Sequence, residues 1–326
     1  MLFPLLRKKI LWFFPILFVV HILTFMLFFV VNSPDDIARS HLGQKYVTAT
    51  EILNWKKSYG LDKPLFYDAS AQGINKIIKT IFFQQTNQLL RGDFGIALSG
   101  ESVNAEIKNR VIPSLAIALP GFIFGEFINI LVAMIWVYFR QTHLNQMGLI
   151  ATICLLSIST LFYIIFAQYY MAFLWKWFPV SGYETGISAI YFVILPILVH
   201  IFSGLGSGAL WYRTLFMEEV EQAYVTTAKA NGLREEFIMV FYVLRNALLP
   251  MATSLIVLLP SLFLGSVLFE SFFAIPGLGN YLIKAINQQD FIVVKAMVMM
   301  GSLAYLLGLM LTDVMYFFID PRVKIQ

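Results

Sequence analysis

EEVEQAYVTTAKANGLREEFIMVFYVLRNALLP, residues Glu218 to Pro250, is the longest polar interval in the C-terminal half of the chain, and apolar runs flank it on both sides. Ala223, Ala228 and Ala230 favour helix, Gly232 to Arg234 break it, Glu235 and Glu236 follow the break, and Pro250 ends the second segment. The stretch therefore reads as helix, turn, helix. A polar loop between apolar segments is by default a connector, and only the spacing of its residues can give it more to do.

The flanking runs decide the fold class. With 59% hydrophobic and 13% charged residues in 326, the chain carries more apolar surface than one water-soluble core can hide. The runs are long enough to cross about 30 Å of hydrocarbon as helices, and nothing shows the ten-residue alternation of a membrane barrel. The expected class is all-α integral membrane. A net charge of +4 with scattered cations gives no nucleic-acid surface. Cys154 stands alone in an apolar run, which excludes an intrachain disulfide and a cysteine metal cluster, and it reads as a small buried hydrophobe.

In chain order, Arg7, Lys8 and Lys9 precede an apolar run from about 11 to 31 that is too long, and too poor in a cleavage site, for a signal peptide. It is taken as a retained first span (1–31), with its N-terminus in the cytoplasm. Residues 32–111 form a soluble extra-membrane segment, expected to hold one helix near 50–59 capped by Thr50 and another near 75–90. Further spans follow at about 112–139, 147–175, 187–212, 248–269 and 291–318, within a core of residues 112–326. Six spans place both termini inside, the polar loop 213–247 in the cytoplasm, and the Pro/Gly-rich loop 270–290 outside. Trp175, Lys176, Trp177 and Tyr183 mark an interface.

Six short stretches in order give the chain a family resemblance. They are Gly60-Leu-Asp-Lys-Pro64, Arg91-Gly-Asp-Phe-Gly95, YVTTAKANGL from Tyr224 to Leu233, RNALLP from Arg245 to Pro250, FESFFAIPGLG from Phe269 to Gly279, and Asp320-Pro-Arg322. Together they resemble the inner-membrane permease subunits of peptide-type ABC importers, the oligopeptide and dipeptide group. The resemblance runs from the first span to the last residues. It departs at Asn32 to Asp36, where NSPDD stands in place of the family's usual PGDP.

That resemblance implies a heterodimer with a second, similar permease, two ATPase domains, a periplasmic substrate-binding protein and an inward-moving peptide-like solute. No GxxxxGK[ST] phosphate loop occurs in the chain, so ATP and Mg are expected on the partners, with no cofactor, metal or catalytic residue here. The family's coupling helix, with its pattern Glu-Ala-Ala, three residues, Gly, falls on about 220–231. The triplet is Thr226, Thr227 and Ala228, with Gly232 in place and the Glu missing. Tyr224, Thr226, Thr227, Ala228, Ala230, Gly232 and Leu233 are the expected ATPase-coupling residues, with small Ala228 and Ala230 entering a cleft on the ATPase. Arg245 and Asn246 would brace the next segment, and Pro250 would fix the start of the fifth span. Arg91, Asp93, Glu270, Pro276, Gly277 and Gly279 are expected at a periplasmic gate or binding-protein contact.

Charges within spans are costly and face protein or water. Glu126 and Asp313 are candidates for lining the path, Glu126 alternatively pairing with Asn129 or Gln168, while Lys295 snorkels. Two other classes compete. A membrane protease could draw on His200 with Ser203 or Ser207, although Gly204 and Gly208 suit a helix-packing face. A secondary transporter would need matched broken helices and no ATPase; the sequence shows no matched pair and no repeat of one half in the other. The solute's identity is not written in these motifs.

Overall fold

The computed structural model describes residues 2–31, 33–43, 47–69, 71–264 and 266–319. Among them the chain is helical, with a lone β-bridge between Ile96 and Ser102. The helices are α1 (Leu2–Val31), α2 (Pro34–Leu42), α3 (Ala49–Ser58), α4 (Asn75–Ile78), α5 (Ile81–Leu90), α6 (Val103–Tyr138), α7 (His143–Ser157), α8 (Thr160–Ala167), α9 (Ala189–Val220), α10 (Ala223–Ala230), α11 (Glu235–Ile238), α12 (Arg245–Leu264), α13 (Val267–Phe272), α14 (Leu278–Asn287) and α15 (Phe291–Ile319). π-Helical turns at Gln168–Leu174 and Met239–Leu244 extend α8 and join α11 to α12.

Five helical stretches are long and apolar enough to cross a membrane, and a bent pair brings the number to six. That pair corrects the single third span expected over 147–175: α7 and the α8 segment meet at 86°. Ser157 donates to the carbonyl of Ile153, and the backbone turns extended at Ile158 and Ser159. Other boundaries also move. The second span begins nine residues earlier, at Val103, the fourth continues to Val220, and the helix of the fifth begins at Glu235. Pro250 is therefore inside α12 and does not start the span. Cys154 is exposed on α7, not buried.

The chain divides into two compact units, and the division is not sequential: residues 281–306 belong with 1–109, and 307–326 with 110–280. In the first unit, Phe25, Phe29, Ile37, Leu61 and Ile81 form an aromatic-rich core that also packs Phe291. Asp290 explains why the stretch after 281 belongs here. Buried to 4% exposure, it caps α15 through the Val293 N–H and accepts the Leu98 N–H at 2.7 Å. Lys295 donates to Gln85 at 2.9 Å, so it has a defined partner and does not simply snorkel.

Local chemistry sets the small helices. Thr48, not Thr50, caps α3, because Glu51 then sits three residues on and returns a bond to the Thr48 N–H. Ser33 and Asp36 make the same reciprocal box at α2, which gives the unusual NSPDD stretch a structural use. The helix expected over 75–90 is split, since the Thr80 side chain caps α5. In the second unit, α9 packs on α7 and α8, and buried Tyr212, Phe216, Val225, Ala228, Ile238 and Val243 form a core beneath α10. Replacing Asp290 with Ala removes a cap and orphans the Leu98 N–H, so we expect a loss of about 2 kcal/mol. Thermal unfolding in nanodiscs and faster proteolysis between residues 95 and 102 would report it.

Candidate functional site

Three groups of residues carry the chemistry. The first is the α9–α12 loop. Helix α10 starts at Ala223, three residues later than expected, because the chain breaks after Val220 and re-enters helix from an extended Gln222. Its end is closed by two bonds: Gly232 N–H to Lys229 O at 2.9 Å and Leu233 N–H to Ala228 O at 3.3 Å. This is the Schellman arrangement, and Gly232 adopts φ +77°, which L side chains resist. The same bond pair closes α3 at Gly60 and α5 at Gly92, so two of the N-terminal sequence signatures are helix stops as well.

Helix α10 is two-faced. Val225 and Ala228 are 1% and 3% exposed inside this chain's own core, so Ala228 cannot enter a cleft on another protein. Thr226, Thr227, Ala230, Gly232 and Leu233 remain exposed. Tyr224 anchors the start of the helix: its hydroxyl donates to Glu219, and burial, followed by that carboxylate, raises its pKa to about 12, with Asn246 acting in the opposite sense. Arg245 is exposed and has no side-chain partner among the described residues, so it does not brace the segment. Asn246, expected beside it, does hydrogen-bond the Tyr224 side chain, and further ties come from residues to which the sequence gave no such role. Arg140, at the end of α6, pairs with Glu235, which Lys229 also approaches at 3.7 Å, and the Tyr138 hydroxyl donates to Glu236 at 2.8 Å.

The second group surrounds Glu270 of α13, beneath the α13–α14 loop. Its side chain is 1% exposed. One carboxylate oxygen accepts the Ser114 hydroxyl at 2.7 Å and the other accepts the Asn280 N–H at 2.8 Å, while Ser114 itself accepts the Leu278 N–H. Burial raises the Glu270 carboxyl above its usual range, and these donors oppose the shift. Gly277 is required sterically: a Cβ there would overlap the Glu270 carboxyl and come within 2.5 Å of Ser114 Oγ. At Gly279 a Cβ would lie 2.8 Å from the Val267 nitrogen. Glu270, Gly277 and Gly279 are thus the interior scaffold of the loop and offer no contact surface, whereas Pro276 is exposed. Arg91 and Asp93 are exposed in the first unit. Asp93 accepts the Gly95 N–H at 2.9 Å, and Asn104 clasps the same turn through the Phe94 N–H and the Gly92 carbonyl.

The third group lines a cavity of about 490 Å³ in the second unit, walled by α6, α9 and α12. Glu126 lines it and accepts the Tyr212 hydroxyl at 2.6 Å, so its partner is neither Asn129 nor Gln168. The Gln168 amide bonds instead to the carbonyls of Val180 and Phe272. Gly208 admits Asn129 at the helix contact, and Gly121 lies against the His200 ring. Ser203 donates to the His200 backbone carbonyl and Ser207 to that of Gly204, so neither is paired with the imidazole as a protease would need. Asp313 lies on α15 with its side chain outside the described residues, as are Asp320 and Arg322.

The chain matches the family described as "Binding-protein-dependent transport system inner membrane component" over residues 110–325, and an N-terminal family of the same transport systems over residues 1–117. The "Glutathione transport system permease protein GsiC" of Shigella flexneri serotype 5b (strain 8401) is 26% identical over 318 residues, covering 97% of each chain. Its namesake from Escherichia coli (strain K12) is 26% identical over 320 residues, again with 97% of each covered. Two variants probe the Glu270 node. Gly277→Ala should cost about 2 kcal/mol or more by overpacking, whereas Ala274→Gly, at φ +53°, should be neutral or stabilise by about 0.5–1 kcal/mol. Thermal unfolding of the two purified variants checks both signs.

Proposed function

Because this chain belongs to the family of binding-protein-dependent transport system inner membrane components, we propose that it passes peptides or peptide-like solutes inward and receives ATPase motion through α10. It is a multi-pass permease subunit of an ABC importer in the bacterial inner membrane, working with an ATPase and a substrate-binding protein. The finer assembly we infer is a heterodimer with a second, similar permease and two ATPase domains that hold ATP and Mg. The loop 213–247 then lies in the cytoplasm and the loop 270–290 in the periplasm. A peptide-like solute is supported by the glutathione relatives, since glutathione is itself a small modified peptide.

The observation that carries the coupling reading is the division of α10 into a buried face and a free one. Val225 and Ala228 lock it onto the chain's own core, and the Arg140–Glu235 pair holds the turn that follows. A push on the exposed Thr226, Thr227 and Ala230 therefore reaches α9 and α12 without being absorbed by a flexible loop. A secondary transporter is less well supported, because the described residues contain one bent helix pair and not two in matching positions.

Thr227→Trp alters only an exposed position, so stability should stay within about 0.5 kcal/mol. ATP-dependent uptake into proteoliposomes should nevertheless fall about tenfold or more, the effect of losing one well-packed contact at a docking surface. Unchanged uptake by a folded Thr227→Trp transporter would sink the assignment of α10 as the coupling helix.

A further inference from the structure

We propose that the cavity between α6, α9 and α12 is a binding site for the primary ammonium group of the transported solute, held between Glu126 and Asn129. The inference rests on the importer reading and deepens it, by giving this subunit a direct and chemically selective contact with its cargo.

The lining is matched to a cation that donates hydrogen bonds. Glu126 is the one acidic residue on the wall, and neither Lys nor Arg lines it. The Tyr212 hydroxyl occupies one of its oxygens at 2.6 Å; the other has no hydrogen bond among the described residues. Asn129 lies one helical turn further along α6, on the same face, and is 5% exposed, yet its Oδ1 has no hydrogen-bond partner among the described residues. A buried amide oxygen without a donor costs free energy comparable to a lost hydrogen bond, and a ligand N–H would recover it. The hydroxyls of the wall point the same way. Ser207 and Ser254 direct their protons at helix carbonyls of Gly204 and Met251, leaving oxygen lone pairs as the groups they can offer.

The glycines explain why the space exists. Gly121 and Gly125 on α6 and Gly204 and Gly208 on α9 recur one turn apart, and all four line the cavity. Gly208 leaves room for Asn129, while a Cβ at Gly204 would meet nothing within 4 Å. A volume of about 490 Å³ lies in the range of small-molecule sites and accommodates the amino end of a short peptide.

The test is equilibrium binding without ATP, on the full-length chain co-purified with its partner subunits in lipid nanodiscs. The probes are trialanine amide, which carries a free ammonium and no carboxylate, and its N-acetyl form. Calorimetry should show saturable binding of the first and not of the second. Glu126→Gln should weaken that binding about tenfold or more, as expected when a charge-assisted hydrogen bond is lost. Gly204→Leu provides a second variant whose folding is not in question, since its side chain enters open space and replaces a helical glycine; it should abolish binding by filling the site. Equal binding of the acetylated probe, no binding of either probe at millimolar concentration, or unchanged binding by Gly204→Leu would each overturn the proposal. Because the readout involves no ATP, such a result leaves the coupling assignment standing, and a failed coupling test leaves the ammonium site unaffected.

Discussion

A helix that stops leaves its last carbonyls unpaired, and the chain beyond it must turn back to satisfy them. Here the answer recurs in one form. The helices α3, α5, α10, α13 and α14 each end with the N–H groups of the second and third residues beyond them folded back onto the last turn. Glycine takes the left-handed position at Gly60, Gly92 and Gly232, while Ala274 and Gln289 occupy it at some cost in strain. These closures fix the direction in which the chain leaves each helix. The placement of α10 against its core follows from the closure at Gly232.

On that frame a few polar nodes carry disproportionate weight. Glu270 gathers Ser114 from α6 and the backbone of the glycine loop around one buried carboxylate, so the AIPGLGN sequence is a fitted lid over its own anchor. Asp290 plays the equivalent part in the other unit, joining the Leu98 backbone to the start of α15. Both are acids whose burial is tolerable only because several donors converge on them. Glu270 is buried with its loop glycines, and for that reason these positions, expected at a contact surface, turn out to be internal.

The polar loop over residues 213–247 was legible in part. Its alanines and its glycine announced a short helix with a hard stop, and both are present. Which face of the helix points outward was not legible, because α10 spans barely two turns and the alternation of Val225 and Ala228 with Thr226 and Thr227 is too short to define a stripe. The pairing of Arg140 with Glu235 and of Tyr138 with Glu236 was not legible for a related reason. The partners are separated by about a hundred residues in sequence, and only packing brings them together. The bend between α7 and α8 escaped because Ile158 and Ser159 carry no glycine or proline to mark it.

Composition and run length determined by themselves that the chain is a helical membrane protein, since neither depends on which surfaces meet. The order of six short motifs determined its family, and the local chemistry of Ser, Thr, Gly and Glu determined several helix ends, among them the starts of α2, α3 and α5 and the ends of α3, α5 and α10, because capping acts within four residues. Tertiary structure alone decided the rest. It assigned residues 281–306 to the N-terminal unit, turned Ala228 inward, and gave Glu126 to Tyr212 with a neighbouring cavity. Such facts concern pairs of groups far apart in the chain, and they are settled by close packing and by the cost of leaving a buried polar atom alone.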